Sequence, residues 1–436
     1  MNIKIIGAGL AGCEAAWQLA RRGIKVELIE MRPHNQSPAH VSGDFAELVC
    51  SNSFRSNELT NAAGLLKEEM RRLGSVIMSC ADRTRIPAGG ALAVDRVGFA
   101  ELVTSTICSH PLISISNFEV TSIPDGRVII ATGPLTADTL AGELAALLPD
   151  RRMLSFFDAA APIVTYESVD MSSAWFASRY DKGDADYINC PLTKDEYTHF
   201  NDALVTAETA HIHDFESDRV FEGCLPIEVM AKRGEDTIRY GPLKPVGLPD
   251  PKTLKEAYAV VQLRKDNSEG TLYNLVGFQT RLTFSEQKSV FSLIPALKDA
   301  QFVRFGVMHR NTYLNAPILL DRYYRLRDDL RIGFAGQITG VEGYIESAAS
   351  GLLAGIEAAR ELKELPPIDF PKETAIGALA LYCCGGAVSN FQPMNVNFGI
   401  IEPLAAKIKG KRNKNLAISE RSLAIIDNII KILEYA

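Results

Sequence analysis

Apolar residues open the chain as a short run, Ile3-Lys4-Ile5-Ile6, which stops at Gly7-Ala8-Gly9-Leu10-Ala11-Gly12. Helical spacing then continues to Arg22, and a second apolar run, Lys25 to Glu30, follows. The predicted opening is therefore strand, glycine turn, helix, strand. Leu66, Met70 and Leu73 share one face of a helix predicted from about Thr60 to Leu73 and ended by Gly74. Residues 81–94, with Pro87 and Gly89-Gly90, read as a loop that approaches a ligand, and residues 95–108 as a helix. Two extended runs follow, Leu112 to Val120 and Gly126 to Ile130, the second closing on Ala131-Thr132-Gly133.

From about Met153 to Arg304 the pattern changes to short strands, turns and aromatics, which predicts an inserted mixed α/β domain. A strand entering a glycine turn returns at Leu330 to Gly340. The helix after it, Ser347 to Arg360, has a face left bare by Gly351 and Gly355, suited to close packing beneath a cofactor. Leu423, Ile426, Ile430 and Leu433 predict a last helix within 416–435. The expected fold class is α/β: a discontinuous Rossmann domain in residues 1–152 and 305–370, an insertion at 153–304, and a C-terminal segment at 371–436 carrying a helix. That layout is the one found in glutathione-reductase-like flavoproteins.

The opening turn carries the first chemistry. Gly7 makes the tight turn, Gly9 lets backbone amides approach a pyrophosphate, and Gly12 lets the helix lie close to its strand. The helix N-terminus adds unpaired N–H groups and the positive end of its dipole. Glu30 ends the second strand about twenty residues beyond the glycines, where an acid grips a ribose hydroxyl. A second strand closing on Gly133, and the later turn with Gly336, Gln337 and Gly340, are further approaches to the same dinucleotide. One such fingerprint is present and no second, so a nicotinamide coenzyme would visit without a fold of its own.

Composition changes little. With 436 residues, 47% hydrophobic and 23% charged, the chain has room for a large core and two domains. No apolar run has transmembrane length, and a strand starting at residue 3 leaves no room for a signal peptide. Eight cysteines without C-x-x-C spacing argue against a metal site or a disulfide framework and fit a reducing cytoplasm. Cys13 falls in the first helix and Cys383-Cys384 are adjacent, so no redox dithiol is expected. A net charge of −7 means that an RNA partner would need a local basic patch. The densest run, Lys407-Ile408-Lys409-Gly410-Lys411-Arg412-Asn413-Lys414, is either a solvated loop or a phosphate contact.

Two cysteines have unusual surroundings. Cys50 lies in Glu47-Leu48-Val49-Cys50-Ser51-Asn52-Ser53-Phe54-Arg55-Ser56, and Cys224 in Phe221-Glu222-Gly223-Cys224-Leu225-Pro226-Ile227-Glu228. Thiolate is the reactive form, and nearby Arg55 or Lys232-Arg233 would favour it. The competing reading is a pair of buried structural cysteines.

Taken together with Tyr240-Gly241-Pro242-Leu243-Lys244-Pro245-Val246-Gly247-Leu248, Gly306-Val307-Met308-His309-Arg310-Asn311-Thr312-Tyr313, Gly336 to Tyr344 and Phe391-Gln392-Pro393-Met394-Asn395, these runs resemble one family along essentially the whole chain. It is that of the folate- and flavin-dependent tRNA (uracil-5-)-methyltransferases, a branch of the tRNA uridine-modifying flavoproteins. The resemblance implies FAD as cofactor, 5,10-methylenetetrahydrofolate as carbon donor, and NADPH or NADH as reductant. The product would be 5-methyluridine at position 54 of the tRNA T-loop. It implies Cys224 as the nucleophile and Cys50 as an acid or base, with their order of action open. His309 would stack on the pterin or else cap a turn, and Arg310 and Asn311 would bond the pterin or uracil edge. Lys232, Arg233, Lys244 and the basic run are candidates for tRNA phosphates. Two departures are mild: Phe54 stands where leucine is expected, and the Cys383-Cys384 pair is peculiar to this chain. Alternatives are the same chemistry on a ribosomal RNA uridine and a non-catalytic flavin- and RNA-binding protein.

Overall fold

A computed structural model describes residues 2–37, 39–147, 154–159, 161–181, 184–210, 225–306, 308–385 and 391–434; along 154–159 and 308–312, and at 181, it describes the backbone alone. The first strand, Asn2–Ile6, lies inside a sheet ordered Arg325–Leu326, Asp329–Phe334, Val128–Ile130, Asn2–Ile6, Lys25–Glu30, Ile113–Asn117. Every neighbouring pair is parallel except the outermost, Arg325–Leu326 against Asp329–Phe334. Strands of a parallel sheet are buried on both faces, which is why Ile3, Ile5 and Ile6 form an almost unbroken apolar run. Early and late parts of the chain thus share one sheet.

Helix Leu10–Ala20 packs against helix Tyr344–Leu362. A Cβ on Gly351 would collide with the carbonyl of Ala11, and one on Gly355 would sit 2.8 Å from that of Ala15. The bare face of the late helix therefore meets the backbone of the first helix, not a cofactor as its composition suggested.

A second sheet runs Trp175–Ala177, Tyr187–Leu192, Ala259–Lys265, Leu272–Leu275, Ile163–Thr165, Phe302–Arg304, with all neighbours antiparallel. One face buries Ile188, Cys190, Leu192, Val261, Leu263 and Leu275 in a core shared with helices Lys194–Thr206 and Phe284–Phe291. Alternation then puts Tyr187, Asn189, Gln262 and Arg264 on the opposite face. A ribbon of Leu154–Ala159 paired with Met308–Tyr313 links this sheet's ends to the first sheet's side of the chain.

Two sequence expectations change. Residues 81–94 are not a ligand loop: helix Val76–Arg83 runs into them and strands Arg85–Ile86 and Ala91–Val94 follow. Their turn docks on the second sheet, with Gly89 N–H donating to Asp186 at 2.5 Å and Tyr187 Oη donating to the Ala88 carbonyl at 3.2 Å. The last helix spans Lys411–Glu434, so half of the basic run forms its first turn. Among the described residues no helix is long and apolar enough to cross a membrane.

The last helix is tied down by an acid. Glu69, fully buried on helix Ala62–Arg72, accepts from the amides of Ala375 (2.7 Å) and Ile376 (2.9 Å), capping helix Ala375–Cys384, and from Ser422 Oγ. Burial pushes its carboxyl up to about 7, outweighing those hydrogen bonds. The native state then binds more protons than the unfolded chain between its ordinary value and about 7. The associated stability is full at acid pH and lost as pH rises through about 7, on the order of 3 kcal/mol in total. Glu69→Gln is expected to flatten that slope, seen as a wild-type-minus-variant melting difference that shrinks from pH 5 to pH 8.

Candidate functional site

The glycine turn has three distinct geometries. Gly7 sits at φ +98°, and a Cβ there would lie 2.6 Å from the Ala131 carbonyl. A Cβ on Gly12 would collide with the Gly7 carbonyl, so the helix can approach its strand only because the side chain is absent. Around Gly9 nothing lies within 4 Å of the added Cβ. Gly9 is also the N-cap of Leu10–Ala20 and brings no side-chain cap, so the first-turn amides stay available.

That open side is the wall of a cleft. Gly7, Gly9, Leu10, Ala11, Glu30, Gly133, Gly336 and Gln337 line it. Ala8, Gly12 and Gly340 do not. Ala8 is buried and Gly12 packs on Gly7, while Gly340, at φ +83°, abuts the Phe391 ring. Glu30 accepts from the Ala8 amide (2.7 Å) and from Arg32 Nε (3.0 Å). Burial alone would raise its carboxyl, but the Arg32 hydrogen bond and charge and the Ala8 amide outweigh burial and hold it below the usual carboxylate range. Glu30 is thus an anion at the cleft wall.

Val49 and Tyr344 also line the cleft, and they bring the Cys50 loop to it. The amides of Cys50 (2.7 Å) and Ser51 (3.2 Å) both donate to Tyr344 Oη. Burial first, and the charge of Cys50 second, push the Tyr344 phenol far above its ordinary range, so its oxygen stays a neutral acceptor. Three arginines grip the loop from outside. Arg96 reaches the Leu48 carbonyl and pairs with Asp266 (2.9 Å). Arg304 donates to the Val49 carbonyl at 2.6 Å. Arg264 donates to Ser51 Oγ at 2.7 Å and Asn52 Oδ1 at 3.0 Å.

Burial presses the Arg264 and Arg304 guanidiniums below their ordinary range, whereas Asp266 more than offsets burial at Arg96. A negative Cys50 favours the charged form of all three. Among the described residues neither Arg264 nor Arg304 has a carboxylate within ion-pair distance. Cys50 therefore sits in an electropositive pocket beside the cleft.

The other expected site residues are placed as follows. Cys224 lies outside the described residues. His309, Arg310 and Asn311 belong to strand Met308–Tyr313, opposite Asp158, Phe157 and Phe156. Lys232 and Lys244 are exposed, as are all residues of the run 407–414. Cys13 is buried and donates to the Ala8 carbonyl, and Cys383 and Cys384 are buried in helix Ala375–Cys384, so these three are structural. Sequence reasoning missed Tyr344, Arg96, Arg264 and Arg304. The one available signal was the polar alternation of Gln262 and Arg264 within an apolar strand.

Comparison with known proteins agrees with this geometry. Residues 2–366 match the family model described as glucose inhibited division protein A. The methylenetetrahydrofolate--tRNA-(uracil-5-)-methyltransferase TrmFO of Acetivibrio thermocellus is 59% identical over 429 residues, covering 98% of each chain. The protein of the same name from Desulfitobacterium hafniense is 58% identical over 426 residues, covering 98% of this chain and 97% of that one. Among solved structures, Aquifex aeolicus GidA in its form I crystal superposes with a TM-score of 0.69 at 16% identity, covering 100% of this chain and 80% of that chain. That likeness is one of fold.

Proposed function

The chain belongs to the glucose inhibited division protein A family and, within it, to the TrmFO group, and from that membership we propose that it makes 5-methyluridine in the T-loop of tRNA. The carbon comes from 5,10-methylenetetrahydrofolate and the reducing equivalents from NADPH or NADH through FAD. The observation that carries the proposal is the meeting of a cleft walled by the glycine turn and Glu30 with a thiol loop in an electropositive pocket, joined at Tyr344. The residues fit the cofactor. Gly9 offers an open cradle and uncapped amides for a pyrophosphate, and Glu30 an anionic acceptor for a ribose hydroxyl.

Bound there, the flavin supplies the hydride that turns the transferred carbon into a methyl group. The protein's own part is acid–base and nucleophilic. Uracil C5 is a poor nucleophile until a group adds at C6. The Cys224 thiolate forms a bond to C6, and the ring electrons move to the C4 oxygen, so that C5 attacks the electrophilic methylene carbon. That carbon becomes electrophilic when one of its two bonds to folate nitrogen opens. Once C5 has attacked it, Cys50 takes the C5 proton, and the freed electron pair expels the second nitrogen as tetrahydrofolate and leaves an exocyclic methylene. Hydride addition there breaks the bond from sulfur to C6 and returns the Cys224 thiolate. His309, Arg310 and Asn311 hold the pterin or the pyrimidine edge. A T-loop base must leave its stack to reach the cleft, at a cost of a few kcal/mol. Phosphate contacts from Lys232, Arg233, Lys244 and the exposed run at 407–414 offset that cost.

Purified protein should form 5-methyluridine on a tRNA transcript only when methylenetetrahydrofolate and NADPH or NADH are both present, with isotope from the folate methylene in the product. Activity with S-adenosylmethionine in place of folate would sink the assignment. Modification of a large-subunit ribosomal RNA transcript in preference to tRNA would move the target.

A further inference from the structure

Antiparallel partners share a sheet face, and the second sheet carries one row across five strands: Tyr187 opposite Arg264, Arg264 opposite Asn274, Asn274 opposite Ile163, and Ile163 opposite Arg304. The two arginines of that row hold opposite ends of the Cys50 loop. Arg264 takes Ser51 and Asn52, and Arg304 takes Val49. Within the row, Asn274 stands between them; within the loop, Cys50 does. Asn274 is 2% exposed, and its Nδ2 has no hydrogen-bond partner. A buried amide donor left unpaired is costly, so this one calls for an acceptor.

We infer that Arg264, Asn274 and Arg304 form a donor row beneath Cys50 that holds its sulfur as an anion before any substrate arrives. The use of that anion rests on the function proposed above, in which Cys50 accepts the C5 proton; its existence does not. An anionic sulfur takes a proton from carbon, and a neutral thiol does not.

The charged and titratable groups around the sulfur come from every element packed on it. Helix Arg96–Cys108 contributes Arg96, already paired with Asp266. The second sheet contributes Arg264, Arg304 and Tyr187, and helix Tyr344–Leu362 contributes Tyr344. The loop's own Glu47 is turned to Arg32 at 3.5 Å and to the amides of Val41 and Ser42. Asp266 also acts on Arg264 and Glu47 on Arg304, but among the described residues neither carboxylate lies within ion-pair distance of those two guanidiniums.

The experiment is the pH dependence of iodoacetamide alkylation of the flavin-loaded protein, read at each cysteine by peptide mass mapping, without RNA or folate. A free cysteine peptide carried in the same reaction is the reference, and Cys108, exposed on the same molecule, is a second. Cys50 is expected to reach half-maximal rate about one pH unit or more below the peptide, and further still below Cys108, whose thiol burial pushes up. Asn274→Ala and Arg304→Gln should each move that midpoint up, and Arg304→Lys, which keeps the charge, should restore most of it. A Cys50 midpoint equal to that of the free peptide, a Cys50 that stays unmodified while Cys108 reacts, or variants that shift nothing would overturn the inference. The wild-type comparison with the peptide decides even where a variant does not fold. Loss of the methylation reading would leave the alkylation profile intact, so the two failures are separable.

Discussion

Cys50→Ala is expected to slow 5-methyluridine formation by about 10³-fold while leaving flavin and tRNA bound, the size of effect that a positioned acid–base group supplies. Backbone groups and the side chains of Ser51 and Asn52 make the loop's described contacts with Tyr344 and the three arginines. Its amides hold Tyr344 Oη, its carbonyls hold Arg96 and Arg304, and Ser51 and Asn52 hold Arg264. Deleting the thiol leaves all of these in place, so the fold should be kept, while loss of the anion beside the buried Arg264 and Arg304 lowers the melting temperature. The lost activity should therefore appear in kcat, with KM for tRNA nearly unchanged. Single-turnover methylation and flavin content measured on the same preparation check this. A variant that retains wild-type turnover removes Cys50 from the reaction.

The second large effect is expected at two glycines that lie three residues apart and fail for different reasons. Gly12→Ala puts a Cβ into the Gly7 carbonyl. No rotamer relieves it, because the colliding atom is the Cβ itself, so the helix must shift off its strand, costing about 1–3 kcal/mol or more. That shift also displaces the first-turn amides, and both melting temperature and flavin content should fall. Gly9→Ala meets no protein atom within 4 Å, and the chain should fold as before. Its methyl group occupies the space that the pyrophosphate needs, so the purified protein should lack visible flavin absorbance at unchanged stability. Flavin retained by Gly9→Ala would show that the cleft holds its ligand elsewhere.

The opening turn was legible in the sequence because each glycine answers to neighbours a few residues away, and strand, turn and helix are set by local pattern. The close packing of Gly351 and Gly355 was legible too, but not its partner. A bare helix face says that something comes near without saying whether it is a ligand or the backbone of Ala11 and Ala15. Pro87 and Gly89-Gly90 announced a turn and were silent on what it faces, which proved to be Asp186 and Tyr187. The arginines around Cys50 were the least legible. Arg264 meets Asn52 across 212 positions of sequence, through a strand register that no local pattern encodes. Alternation marked Arg264 as belonging to a polar face, and only the assembled sheets show that this face looks at a thiol.

The surroundings of Cys50 are contributed from two sides, Tyr344 and Arg96 from one sheet's helices and Arg264 and Arg304 from the other sheet. Parted, the halves would hold an ordinary thiol and a bare row of cations. Reactivity is thus inherited by neither folding unit and arises only at their seam, so a nascent or half-folded chain carries no activated sulfur to be spent on the wrong electrophile.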